Sequence, residues 1–211
     1  MECATVAAQR QPGIAHPWVL AAIAAAVLVS TWVVASRRPV PRWELRLEVW
    51  LNETPAAIAS ALWPVMQLGN AVAPFVAAIG VYLLARDRAL AIATLAAGVA
   101  AWFLAKGVKR VVGRDRPLTF LPDIDVREGD GTGLGFVSGH SAVAAALAVC
   151  VVVAVPPRWR PLPIAVAAAV GLTRLAVGVH LPVDVVGGWA LGVLVGLAAV
   201  AVASRVTRAT P

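Results

Sequence analysis

The chain has 211 residues, 60% of them hydrophobic and only 14% charged, with a formal net charge of +7. A soluble domain of ordinary make-up is about 45–50% apolar and about 25% charged, and a chain this short exposes too much surface to hide the excess. An ordinary soluble domain, a disordered tail and a disulfide scaffold are excluded, a nucleic acid has no polar face on which to dock, and a polytopic membrane protein remains.

A helix that crosses the hydrocarbon layer of roughly 30 Å needs about 20 mostly apolar residues. Residues 17–36 carry no charge and have Trp18 and Trp32 near their ends, where interfacial anchors sit. They read as a retained first span rather than as the core of a signal peptide. Residues 42–53 alternate like a strand at Trp43, Leu45, Leu47, Val49 and Leu51, yet Trp43, Leu47, Trp50 and Leu51 also share a helical face. Between two spans a short interfacial helix is the expectation, because lipid does not tolerate an open sheet edge. Residues 54–85 are uncharged but too long for one crossing, and Pro55 and Pro64 interrupt their first part. A short surface segment followed by a second span at about 65–85 is expected there. After the polar turn Arg86-Asp87-Arg88 a third span covers about 89–105 and ends before Lys106. Residues 106–138 form the only long polar stretch, with five acidic and six basic residues. Further spans follow at about 140–157, 162–179 and 184–203. The expected fold is therefore all-α, a six-transmembrane-helix bundle in one domain over residues 1–211, with a polar loop between helices 3 and 4. Cys3 and Cys150 lack neighbours suited to a disulfide or a metal site and read as incidental.

Polar residues concentrate at three places that six alternating spans would put on one membrane face. The first is residues 109–117, the second Ser138-Gly139-His140 at the start of the fourth span, and the third Thr173-Arg174 through His180 to Asp184. Charges beside membrane spans are costly and so are functional candidates. Lys109, Arg116 and Arg174 supply three cations for one anion, Arg with its fork geometry and Lys as a compact charge. Ser138 and Gly139 open a helix whose free N–H groups favour an anion. Asp184 near the start of the last span is within reach of His180, and a carboxylate on one imidazole nitrogen leaves the other free as a nucleophile. His140, His180 and Asp184 also have the composition of a metal site, but three converging cations make a divalent ion costly there, so no metal and no cofactor is expected. Arg110, Arg114 and Asp115 read as solvated loop charges. The acidic run Asp123, Asp125, Glu128 and Asp130 reads as a flexible solvated loop, with cation binding or gating as the alternative.

Lys109 with Arg116-Pro117 seven residues on, Ser138-Gly139-His140, and Thr173-Arg174 with His180 and Asp184 resemble the three signature motifs of the type 2 phosphatidic acid phosphatase superfamily. Two positions depart from its usual pattern: Val137 stands where Pro is usual, and Thr173 where Ser is usual. The resemblance implies that His180 attacks phosphorus, that Asp184 orients His180, and that His140 protonates the leaving oxygen and then activates water. It further implies that Lys109, Arg116, Arg174, Ser138 and Gly139 hold the phosphoryl oxygens of a membrane lipid phosphate. A polyprenyl diphosphate, phosphatidic acid and phosphatidylglycerophosphate are the candidate substrates. A non-catalytic lipid-phosphate binding or transport protein of the same fold is the alternative, while the haloperoxidase relatives are soluble. With the N-terminus inside, the inner segments carry seven Lys and Arg and the motif face eleven. Setting aside Lys109, Arg116 and Arg174 leaves the two faces nearly equal, so the positive-inside rule does not orient the chain. The resemblance implies an extracytoplasmic site and cytoplasmic termini in a multi-pass protein of the cell membrane. Oligomeric state is not encoded in any of these signals.

Overall fold

The computed structural model describes residues 14–209. Cys3 and Arg10 lie outside them. The described residues form eight α-helices and no strand: α1 Pro17–Ala35, α2 Arg42–Asn52, α3 Ala56–Met66, α4 Ala73–Ala85, α5 Arg88–Val112, α6 Gly139–Ala154, α7 Pro161–Ala176 and α8 Pro182–Ala209. The all-α expectation therefore stands. By length and apolarity α1, α5 and α8 are able to cross a membrane, and a fourth crossing results if α3 and α4 count as one broken span.

Several boundaries differ from the sequence reading for identifiable reasons. Pro64 does not end the segment that begins at Pro55: α3 is a helix that runs through Pro64 into a 3₁₀ turn at Gln67–Gly69. It meets α4 at a bend of 73°, the shape of a broken span or of a re-entrant loop. The helix that holds the expected third span does not stop before Lys106. Asp87 caps α5 by accepting from Leu90 N–H at 3.0 Å, and the helix continues until Gly113 takes the left-handed conformation and donates to Lys109 O at 2.9 Å. Lys106 remains inside it because its ammonium reaches outward over the Trp102 ring, 5.0 Å from the centroid. At its other end α7 stops at Ala176, before the expected 179, and α8 runs on to Ala209.

Residues 42–52 are the expected helix, α2, but its faces are inverted relative to a soluble one. Glu44, Glu48 and Asn52, four residues apart, are buried against the bundle, while Trp43, Leu47 and Trp50 are exposed. Apolar side chains also cover the outer faces of α4 (Phe75, Val76, Ile79, Leu83) and α5 (Ile92, Phe103). An outside this apolar suits hydrocarbon rather than water.

The centre is built by close packing of α6 on α8. Gly188, Gly192 and Gly196 repeat every fourth residue along α8 and face α6. A methyl group on Gly192 would sit 2.2 Å from Ala142 O, and one on Gly196 2.7 Å from Val149 Cβ, so only hydrogen fits. Small residues at this spacing let two backbones touch. The N-terminal ends of α6 and α8 are tied by Ser138 N–H donating to Asp184 O at 2.8 Å.

Candidate active site

Each of the three polar clusters is delivered by a helix end. Lys109 lies in the last turn of α5, and its ammonium donates to Leu134 O and Gly135 O, both at 2.7 Å. Those carbonyls are held in place by a short backbone clamp, in which Arg116 N–H donates to Gly133 O at 3.1 Å and Gly135 N–H to Arg114 O at 2.7 Å. Gly135 has to be glycine, because a side chain there would meet Asp184 Oδ2 at 2.7 Å. Arg116 keeps its Nε buried with no hydrogen-bond partner.

Ser138 caps α6, and its hydroxyl accepts from Ser141 Oγ–H at 2.9 Å. Beside it, the position that a Cβ on Gly139 would occupy is open, with nothing within 4 Å. Backbone N–H groups at this helix start are thus approachable. His140, in the first turn, is half-buried and meets Trp102 edge-on with ring centroids 6.3 Å apart.

The third cluster is the most enclosed. Arg174, 4% exposed near the end of α7, donates Nη1 to Met66 Sδ at 3.2 Å and pairs with the Glu128 carboxylate. Thr173 spends its hydroxyl on Ala169 O within α7, at 2.7 Å, so its departure from the family pattern costs the site nothing that this hydroxyl touches. Gly178, at φ 71°, turns the chain between Arg174 and His180, where a side chain would collide with Asp125 O. His180 is buried, with Nδ1 3.5 Å from Asp184 Oδ2. Asp184 Oδ2 accepts from Leu181 N–H at 2.9 Å, while the His180 Nδ1 itself has no hydrogen-bond partner. Burial pushes the His180 pKa well below its ordinary value, and the charges of Lys109, Arg174, Arg116 and His140 act in the same direction. The imidazole is therefore neutral near pH 7 and keeps a lone pair. The charges of Arg174, Lys109 and Arg116 also reach His140. All the residues expected at the site are brought to this one region.

Two expectations for the neighbouring loop are corrected. Arg114 is not a solvated charge. Once Gly113 reverses the chain, its guanidinium enters the protein between Glu44 and Asp184 and is fully buried, whereas Asp115 is exposed. The acidic run is not a free solvated loop either. Asp125 N–H donates to Asn52 Oδ1 at 2.9 Å, and Arg127 donates to Thr54 O, Ala176 O and Asn52 O at 2.8, 2.8 and 3.0 Å. These bonds pin it across α2 and the end of α7 and bring Glu128 to Arg174, while Asp123 and Asp130 stay exposed. Glu44, Glu48 and Asn52 had a readable signal, a polar stripe at four-residue spacing on a helix whose other residues are apolar except Arg42 and Arg46. The pairing of Arg114 and Glu128 had none, since each partner lies far away in the chain.

Fold and site together define a helical protein with membrane-length helices that gathers three cations around two histidines. The chain belongs to the PAP2 superfamily, whose family model matches residues 88–208. Two solved structures share its fold. The crystal structure of Aquifex aeolicus LpxE superposes with a TM-score of 0.68 at 20% identity, covering 76% of this chain and 96% of that one. The first transmembrane PAP2 type phosphatidylglycerolphosphate phosphatase from Bacillus subtilis superposes with a TM-score of 0.61, also at 20% identity, covering 91% and 94%. No match emerges among curated proteins.

Proposed function

We propose that the chain is an integral-membrane lipid phosphatase, cleaving a phosphate or pyrophosphate monoester of a membrane lipid through a phosphohistidine on His180. The observation that carries this reading is a buried imidazole 3.5 Å from Asp184 and within the field of Lys109, Arg174 and Arg116. Membership of the PAP2 superfamily and a fold shared with a phosphatidylglycerolphosphate phosphatase add support.

In the proposed reaction the free ring nitrogen of His180 attacks phosphorus while Asp184 holds Nδ1. The P–O bond to the lipid breaks, and His140 gives its proton to the departing oxygen. His140 then takes a proton from water, the resulting hydroxide displaces His180 from phosphorus, and inorganic phosphate leaves. Lys109, Arg116 and Arg174, with the Ser138 hydroxyl and the Gly139 N–H, stabilise the charge on the phosphoryl oxygens in both transitions, the main contribution in phosphoryl transfer. These cations supply what a metal would, so the reaction runs without one. The substrate phosphate replaces the Glu128 carboxylate on Arg174. Six crossings, with the broken pair α3–α4 counted once, place all three clusters at one face, where a lipid headgroup enters while its tail stays in the bilayer. That face is extracytoplasmic, and the termini are cytoplasmic.

Phosphate release by detergent-purified protein, with a chelator present, tests the reading on phosphatidic acid, phosphatidylglycerophosphate and a polyprenyl diphosphate. His180→Ala abolishes turnover, and Arg174→Ala loses about 3 kcal/mol of transition-state stabilisation. Full activity in His180→Ala, or dependence on a divalent ion, refutes it.

A further inference from the structure

The histidine–carboxylate pair does not end at Asp184. The Arg114 guanidinium, with no exposed surface, spans two carboxylates: Nη2 donates to Glu44 Oε2 at 2.6 Å and Nη1 to Asp184 Oδ1 at 3.1 Å. The other Glu44 oxygen, Oε1, accepts from Val183 N–H at 3.1 Å in the first turn of α8. Both oxygens of Glu44 and Oδ1 of Asp184 are thus fixed by partners other than the histidine. Oδ2, steadied by Leu181 N–H, is the one left facing His180.

We propose that Arg114 and Glu44 are positioning residues for the reaction at His180: Glu44 holds Arg114, and Arg114 holds Asp184 with Oδ2 toward the imidazole. This rests on the phosphohistidine reading given above. A histidine nucleophile gains positive charge as it bonds to phosphorus, and a carboxylate fixed against its other nitrogen stabilises that charge and the required tautomer. One guanidinium between two carboxylates leaves a net single negative charge for that purpose. Glu48, one turn along α2, does not add to it, because its pKa is pushed up to about 9 by burial and by Asp184 and Glu44, and it is neutral near pH 7. Without Arg114, two buried carboxylates would confront each other and Oδ1 would be free to turn. Glu44 lies outside the stretch that matches the superfamily, so the interfacial helix contributes a part of the site that the three motifs do not contain.

Steady-state kinetics of the full chain in detergent micelles, on phosphatidic acid and on a polyprenyl diphosphate, test the proposal with four variants. Arg114→Met and Glu44→Gln lower kcat by roughly 10- to 100-fold and leave KM within about twofold, because the cations that bind phosphate are untouched. Arg114→Lys, which keeps the charge but loses the fork, recovers part of the loss. The double variant Glu44→Gln/Arg114→Met is no slower than Arg114→Met, since Glu44 acts through Arg114. Wild-type kcat in Glu44→Gln or Arg114→Met, a loss confined to KM, or a double variant in which the single losses multiply overturns the proposal. If Arg114→Met does not fold, Glu44→Gln, which keeps the shape of the side chain, decides by the same kcat criterion. No phosphate release by the wild type, or release by His180→Ala, defeats the phosphatase reading itself and is distinguishable from these results.

Discussion

Glu48 is fully buried on the inward face of α2, and neither of its carboxylate oxygens has a hydrogen-bond partner. Burial, with the charges of Asp184 and Glu44, raises its pKa from 4.5 to about 9. At neutral pH the unfolded chain has lost this proton and the folded protein keeps it, so folding takes up a proton. Because the folded value is the raised one, the contribution of Glu48 is intact below pH 4.5 and is lost as pH climbs toward about 9. Each pH unit in that window is about 1.4 kcal/mol, so by pH 7 the loss is roughly 3 kcal/mol. Glu48→Gln keeps the shape and cannot titrate. Unfolding free energies in micelles, measured by denaturant titration at several pH values, should therefore favour the variant by about 3 kcal/mol at pH 7. The gap should narrow at about 1.4 kcal/mol per unit as pH falls toward 4.5. A stability difference that does not change with pH, or one that favours the wild type above neutrality, refutes the reasoning.

Two further outcomes follow from contacts in the site. Glu128→Gln removes the carboxylate that pairs with Arg174, so KM for a lipid phosphate falls severalfold with kcat little changed; steady-state assays check this, and a raised KM contradicts it. Burial and neighbouring cations hold the His180 pKa well below its ordinary value, so the ring stays neutral as pH drops through about 6.5. Histidine ¹⁵N NMR of the substrate-free protein reads this directly, and protonation of His180 at or above that pH sinks it.

What the sequence made legible was local or periodic. Apolar length announced α1 and α8, and the glycine after Val112 marks the end of α5, although Lys106 and Lys109 disguised its last turns as loop. The kink between α3 and α4 was visible as prolines, but whether they end a helix or bend it depends on neighbours. The repeat Gly188, Gly192, Gly196 was readable as a packing face and explains why Ser138 and Asp184 meet. The residues of the site were legible because motif spacing fixes them to helix ends. Their partners were not. Arg114 lies 70 residues from both Glu44 and Asp184, and Glu128 lies 46 from Arg174, distances at which hydrophobic period and turn chemistry carry no information.

The ion pairs decide which cations remain for a substrate. Arg114 is matched by Glu44 and Asp184, Arg127 by Asp125, and Arg174 by Glu128. Among the described residues, neither Lys109 nor Arg116 has an ion-pair partner within 4 Å. Two of the ammonium's three hydrogens go to carbonyls, which leaves one for an incoming oxygen. A phosphate monoester near pH 7 carries about −1.5 to −2, most of which the two unmatched cations balance, so it gains less from displacing Glu128 on Arg174. A diphosphate carries more charge and leans harder on Arg174, which means displacing Glu128 first. On the lipid phosphatase reading, the Arg174–Glu128 pair therefore discriminates between the two headgroups. Glu128→Gln should lower KM more for a polyprenyl diphosphate than for phosphatidic acid, and equal shifts for both would show that either headgroup recruits Arg174 to the same extent.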